Sequence, residues 1–289
     1  MSVIRLDGVT KYFGKKAALD GVSAEFETGR IYGLLGRNGA GKSTLINSVC
    51  NRVRINKGEI SLDGERLQEN DKALGHIYAM SEGVNLPGDM RISSAFKVTG
   101  DFYPNFDNEY AGELAKRFGL DVKKRLGRLS TGYRTIAKII IALSSGAEFI
   151  FLDEPVLGLD ANHRELFYRL LVERFIDSGC CMVVSTHLID ECANLFEHVI
   201  IIDKGKVICS ESAETLLNEG CAITGSAAAV DRFCKDMDIL SQSSMGGIKS
   251  VYVRGRPESV PNGLEISKPD MQQIFVSITG GQEGEGDTK

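Results

Sequence analysis

An α/β fold is expected for this chain, and three observations carry the expectation. A short apolar run, Ile31 to Leu35, feeds a glycine-rich loop, Gly36-Arg37-Asn38-Gly39-Ala40-Gly41-Lys42-Ser43-Thr44, and a helix-like run from Lys42 to Val49 leads out of it. Two more apolar runs, Phe149 to Leu152 and Met182 to Ser185, read as strands buried on both faces, as in a parallel sheet. Helical spacing fills the stretch between, in Ala111, Leu114, Ala115 and Phe118 and again in Ile136, Ile139, Ile140 and Leu143.

The elements follow in order. Ser2 to Val9, Ala17 to Phe26 and Ile31 to Leu35 alternate or run apolar between turn residues and read as strands. Gly58 to Gly64 holds another short strand, and Asn56-Lys57-Gly58-Glu59 before it reads as a turn. From about residue 84 to 145 the pattern is helical, an insertion between core strands. Arg164 to Phe175 is amphipathic, and Leu188 to Phe196 is again helical. Val199 to Ile202 and Lys206 to Cys209 form a hairpin across Asp203-Lys204-Gly205. The domain expectation is a main domain over 1–210 and a small α+β extension over 211–280. In that extension Ala222 to Thr224, Ala227 to Cys234 and Ser250 to Val253 read as strand, helix and strand, with a turn at Gly246-Gly247. The Gly/Glu/Asp-rich end, 281–289, reads as disordered.

The 289 residues carry a net charge of −5 without a basic stripe, which argues against nucleic acid as a partner. No apolar run approaches the roughly 20 residues that span a bilayer, and the N-terminus lacks signal-peptide character. A cytoplasmic location is therefore expected. The seven cysteines form no C-x-x-C pair and read as small, reduced core residues.

The chemistry concentrates in a few short segments. The loop from Gly36 to Thr44 fits the phosphate-binding pattern G-x-x-x-x-G-K-[ST] at each fixed position. Its glycines let backbone N–H groups curl around phosphate oxygens, and Asn38, Gly39, Gly41 and Thr44 lie along that cradle. The helix N-terminus adds partial positive charge and Lys42 a full one. Ser43 offers a hydroxyl to Mg²⁺. The run Phe149 to Leu152 ends in Asp153, a metal-holding carboxylate, and Glu154, placed to act as general base toward water. Ser130 is an N-cap before a helix reaching about Ser144, and Gly132 keeps the approach to that helix end open. Gly158-Leu159-Asp160 follows the acidic pair, and Thr186-His187 closes the next strand. Ligands of such sheets bind at the carboxyl ends of strands, which brings His187 toward the terminal phosphate.

This order of motifs resembles the ATP-binding subunit of ABC transporters, over about residues 3 to 210: phosphate loop, Leu129-Ser130-Thr131-Gly132, Asp153-Glu154, Gly158-Leu159-Asp160 and Thr186-His187. The resemblance implies a P-loop NTPase core of the ABC ATPase type with a β-subdomain and an inserted helical subdomain. It implies two cassettes that clamp ATP and Mg²⁺ head to tail. Lys42, Ser43 and Asp153 would hold nucleotide and metal in one copy, and Ser130 and Gly132 of the other would reach the γ-phosphate. Glu154 would prepare the water, His187 would sense the γ-phosphate, and Asp160 would join the dimer interface. An aromatic is expected on the adenine; alignment on Gly14 favours Phe13, with Tyr12 the alternative. The implied partners are a second copy and a membrane permease. The chain would then sit on the inner face of the cell membrane through that permease. Phe102 to Asp107 and the C-terminal extension are similar to a bacterial branch of antibiotic and peptide exporters.

Two departures stand out. Where the family carries a hinge glutamine, counting toward Ser93-Ser94-Ala95-Phe96 gives Glu82, with Ser81 the less favoured position. The signature reads Leu-Ser-Thr-Gly-Tyr, with Thr131 and Tyr133 at variant positions. A nucleic-acid-linked ATPase is the competing class. It needs either two cassettes or a long coiled coil between Lys42 and Ser130, and the chain has neither. A phosphate-loop GTPase would need a guanine-reading Asn-Lys-x-Asp, and the nearest segment ends in Glu59.

Overall fold

The computed structural model describes residues 1–81 and 87–280, so Glu82 and the tail at 281–289 lie outside the described residues. The chain divides into two compact units. One comprises Met1–His187 with Ile202–Val207, and the other Leu188–Ile201 with the described part of Ile208–Lys289.

The first unit opens with the antiparallel pair β1 (Val3–Phe13) and β2 (Lys16–Glu27), then β3 (Ile31–Leu35) and α1 (Lys42–Val49). β4 (Lys57–Leu62) and β5 (Glu65–Arg66) complete a sheet in the order β2-β1-β4-β5. The segment expected as a turn at Asn56 to Glu59 is instead the start of β4. Gly58, at φ +82°, lies so close to β1 that a Cβ there would stand 2.4 Å from the Asp7 carbonyl oxygen. Asn56 accepts the Tyr12 backbone N–H, so it secures β1 and reads no base.

Next come α2 (Asp71–Leu74), β6 (Ile77–Met80), and the helices α3 (Ile92–Phe102), α4 (Asn108–Arg117) and α5 (Thr131–Ser144). The spacing read from the sequence is the buried face: Ala111, Leu114, Ala115, Ile136, Ile139, Ile140 and Leu143 are all inside. β7 (Phe149–Asp153), α6 (Ala161–Ser178) and β8 (Cys181–Thr186) finish the core. β3, β8, β7 and β6 lie side by side in that order, all parallel, and β3, β7 and β8 are buried at every residue. Burial on both faces explains why their sequences run apolar without alternation.

Past His187 the chain makes α7 (Ile189–Cys192), a single turn continued by a short 3₁₀ segment, where one longer helix was expected. The hairpin β9 (His198–Asp203) and β10 (Lys206–Ser212) turns at Lys204-Gly205, both at positive φ. The second unit continues through α8 (Ala213–Asn218), β11 (Gly220–Ser226), α9 (Ala227–Phe233), β12 (Ile239–Met245), β13 (Ile248–Arg254), β14 (Leu264–Ser267) and α10 (Met271–Gly280). Its sheet has the order β12-β13-β11-β14, every pairing antiparallel. Cys221, Ile223, Val230, Cys234, Val251, Val253 and Leu264 form its core. The extension is thus richer than strand, helix and strand. β12 is dominated by serine and glutamine and carries little apolar signal.

Candidate active site

Parallel strands put their carboxyl ends on one edge, and here β3, β7 and β8 deliver three loops to the same place. The loop after β3 is set by glycine. Gly39 and Gly41 sit at φ +80° and +120°, and a Cβ on Gly41 would stand 2.7 Å from the Ala18 carbonyl oxygen. No side chain caps α1, so its first N–H groups face the loop without an intrahelical acceptor.

Lys42 begins that helix and is 6% exposed. Its Nζ donates to the Gly36 carbonyl at 2.6 Å and stands 3.9 Å from Glu154 Oε1. Burial lowers its pKa from the ordinary lysine value, and the charges of Glu154 and Asp153 oppose that fall. A shielded cation with a helix N-terminus beside it is an anion site.

The acidic pair is positioned by β7 and β8. Asp153 is opposite Ser185 in register, and Ser185 Oγ donates to Asp153 Oδ1 at 2.9 Å in a buried setting. Glu154 adopts φ +48°, a left-handed conformation that costs an ordinary residue about 1 kcal/mol or more. Its N–H donates to the Ser185 carbonyl at 2.8 Å, which holds the turn. The bend turns the carboxylate out of the sheet, where Oε2 lies 2.8 Å from His187 Nδ1. Glu154 therefore bridges Lys42 on one oxygen and His187 on the other.

These groups line one cavity of about 710 Å³, together with Phe13, Asn38, Gly39, Gly41, Ser43 and Thr44. Phe13 is half exposed at its mouth, with Lys11 Nζ 5.0 Å from the ring centroid. Ten of the residues read from the sequence thus converge: Phe13, Asn38, Gly39, Gly41, Lys42, Ser43, Thr44, Asp153, Glu154 and His187. Lys16, Arg37 and Leu157 also line the cavity and carried no recognisable signal in the sequence. Ser185 was read only as a strand residue; its bond to Asp153 depends on register between β7 and β8.

Ser130, Gly132 and Asp160 do not line this cavity. Ser130 caps α5, accepting the Tyr133 N–H at 3.3 Å, and is exposed. Gly132 abuts the loop before α6, where a Cβ would stand 2.7 Å from the Gly158 carbonyl oxygen. Asp160 caps α6 by accepting the His163 N–H at 3.0 Å and also meets His163 Nδ1 at 2.8 Å. These bonds hold the Asp160 pKa below the usual carboxylate value. Tyr133 packs edge-on to His163, ring centroids 5.9 Å apart, and Phe118 stacks on the same imidazole. A second cavity of about 520 Å³, lined by Thr131, Arg134, Thr135 and Lys138, shares Asp153, Glu154 and Leu157 with the first.

A strand–phosphate loop–helix with an acidic pair ending another parallel strand of the same sheet, one strand removed, defines a nucleoside-triphosphate-binding α/β protein. Residues 19–157 match the family model described as ABC transporter, and this part of the chain has the fold of an ABC ATPase cassette. The galactofuranose transporter ATP-binding protein YtfR of Escherichia coli K12 is 29% identical over 228 residues. That match takes in 73% of this chain but 45% of YtfR, so the chain spans under half of that relative. The daunorubicin resistance ATP-binding protein DrrA3 of Streptomyces coeruleorubidus is 28% identical, covering 96% of each chain. Among solved structures, the dimeric bacterial ABC transporter cassette MJ0796 superposes with a TM-score of 0.64 at 25% identity, over 73% of this chain and 98% of that one. No helix among the described residues is long and apolar enough to cross a membrane.

Proposed function

We propose that the chain is the ATP-hydrolysing subunit of a transporter, working as a pair of copies that powers a separate membrane permease in the direction of export. The observation that carries this reading is a division of labour. Lys42, Ser43, Asp153, Glu154 and His187 share one cavity, while the capped helix end at Ser130 and Gly132 stands outside it. An exposed helix terminus that lies outside the cavity of its own molecule is open to the phosphate site of a second one. The dimeric state of the MJ0796 cassette and the drug-resistance name of the end-to-end relative DrrA3 support the pairing and the direction.

Within each site the triphosphate lies over the N-terminus of α1. Lys42 exchanges its Gly36 carbonyl for phosphate oxygens, which frees Glu154 Oε1. Phe13 offers its ring face to the base. The donor set suits magnesium: the Ser43 hydroxyl and Asp153, one of whose oxygens is occupied by Ser185, are hard oxygen ligands beside the phosphate loop. When bound there, the ion would neutralise charge on the terminal phosphate oxygens. Glu154 takes the proton of the attacking water, and His187, already bonded to Glu154, holds that carboxylate and meets the γ-phosphate. Ser130 and the first N–H groups of α5 come from the other copy and stabilise charge developing on the transferred group.

Glu154→Gln keeps the shape of the site and removes the base. We expect the purified variant to lose turnover by about 10²-fold or more and to accumulate as an ATP-dependent dimer, read by ATPase assay and light scattering. Turnover at the wild-type rate would remove Glu154 from this role. An ATP-loaded variant that stayed monomeric would end the paired-site reading.

A further inference from the structure

We propose that β12 is a self-recognition edge, through which two copies of this chain join their C-terminal sheets antiparallel without nucleotide. β12 is the outer strand of the order β12-β13-β11-β14, and no strand pairs with its far side among the described residues. An edge strand exposes a row of unpaired backbone donors and acceptors, and proteins ordinarily blunt such edges with charge, proline, brevity or a bulge. The opposite edge of the same sheet is blunted in these ways. β14 has four residues, includes Glu265, and runs into Lys268-Pro269. β12 has seven residues, Ile-Leu-Ser-Gln-Ser-Ser-Met, with no charge and no proline. Its one irregularity lies between Ile239 and Ser241; α10 packs against the strand, with Ser241 Oγ donating to the Gln273 carbonyl at 3.2 Å, and Gln242 to Met245 are exposed.

The pattern of that stretch fits a copy of itself better than another partner. An antiparallel two-fold through Ser243 sets Gln242 opposite the second copy's Ser244, and Ser241 opposite its Met245. A strand bearing charge would meet its own charge across such an axis and be repelled. β12 has none to meet. The nearest acid, Asp238, is paired with Arg254. The end of the strand also has something to cover. Met245 is 80% exposed and its cross-strand neighbour Ile248 is 59% exposed, both beside the Gly246-Gly247 turn. A second copy laid along β12 shields that apolar end with its own first half. The pairing is isologous, closes at two copies, and is independent of the ATP site.

The test is sedimentation equilibrium of the full chain without nucleotide, at tens of micromolar. The expected mass is twice the 31.5 kDa of one chain. Gln242→Lys with Ser244→Lys sets two lysine pairs across the axis. It should raise the dimer dissociation constant at least tenfold while leaving ATPase activity unchanged. Gln242→Glu with Ser244→Glu should behave alike alone. Mixing the two variants should restore a dimer, a rescue that a folding defect would not give. A monomeric wild type, an undiminished dimer in the lysine variant, or failure of the mixture to pair would each overturn the proposal.

Discussion

Lys42 enters the first turn of α1 with its ammonium shielded from water and bonded to a carbonyl rather than an acid. Its pKa is lowered, first by burial, against the pull of Glu154 and Asp153. The sign follows from proton linkage. Between the lowered folded value and the ordinary one, the unfolded chain binds more protons, so stability rises with pH through that window. Below that window the cost of the buried charge is fully present. A methionine has similar length and no charge. Lys42→Met is therefore expected to melt no lower than wild type without nucleotide and to lose the rise in melting temperature that ATP gives wild type. Differential scanning fluorimetry with and without ATP reads both. A nucleotide-free variant that melts several degrees lower would show that the lysine contributes net stability before ATP arrives.

At the scale of the element, the amino ends of α5 and α6 are locked together by a contact the sequence does not announce. Tyr133, one of the two variant positions of the signature, lies edge-on to His163, and His163 is held by Asp160 at the cap of α6. A ring pair of this kind contributes about 1 kcal/mol beyond its buried area. His163→Ala is expected to cost about that much in urea unfolding. It should also weaken the ATP-dependent dimer of the Glu154→Gln variant, because the α5 end is no longer aligned. Unfolding at the wild-type midpoint would dismiss the contact as incidental. The phosphate loop, the acidic pair and the buried helix faces were legible because each is a local pattern: glycines where only glycine fits, acids at a strand end, apolar residues at helical period. Ser185 on Asp153 and Tyr133 on His163 were not, since each joins residues brought together only by strand register or helix packing. β12 was missed for a related reason, because a serine-rich strand has no period-2 apolar trace to read.

At the scale of the whole molecule, the division between units falls in the chain directly after His187. α7 begins two residues after His187, yet it belongs to the second unit, where its buried Ile189 and Cys192 share the interior with Met271 and Ile274 of α10. One turn of helix is not stable alone, so α7 depends on that packing. The C-terminal extension thus shapes the residues that follow His187, proposed above to meet the γ-phosphate, through the chain itself. A chain ended after Ser212 retains every residue of the nucleotide cavity but strips α10 from α7. The cavity residues should still bind ATP, since none is removed. The backbone amides of residues 189–195 should exchange at least tenfold faster than in the full chain, and turnover should fall as His187 loses its anchored neighbour. Hydrogen exchange and ATPase assay on the same preparation read the two effects together. Fast exchange with unchanged turnover would confine the extension to a structural role. Unchanged exchange would mean that α7 is held by other packing and that the extension is dispensable to it.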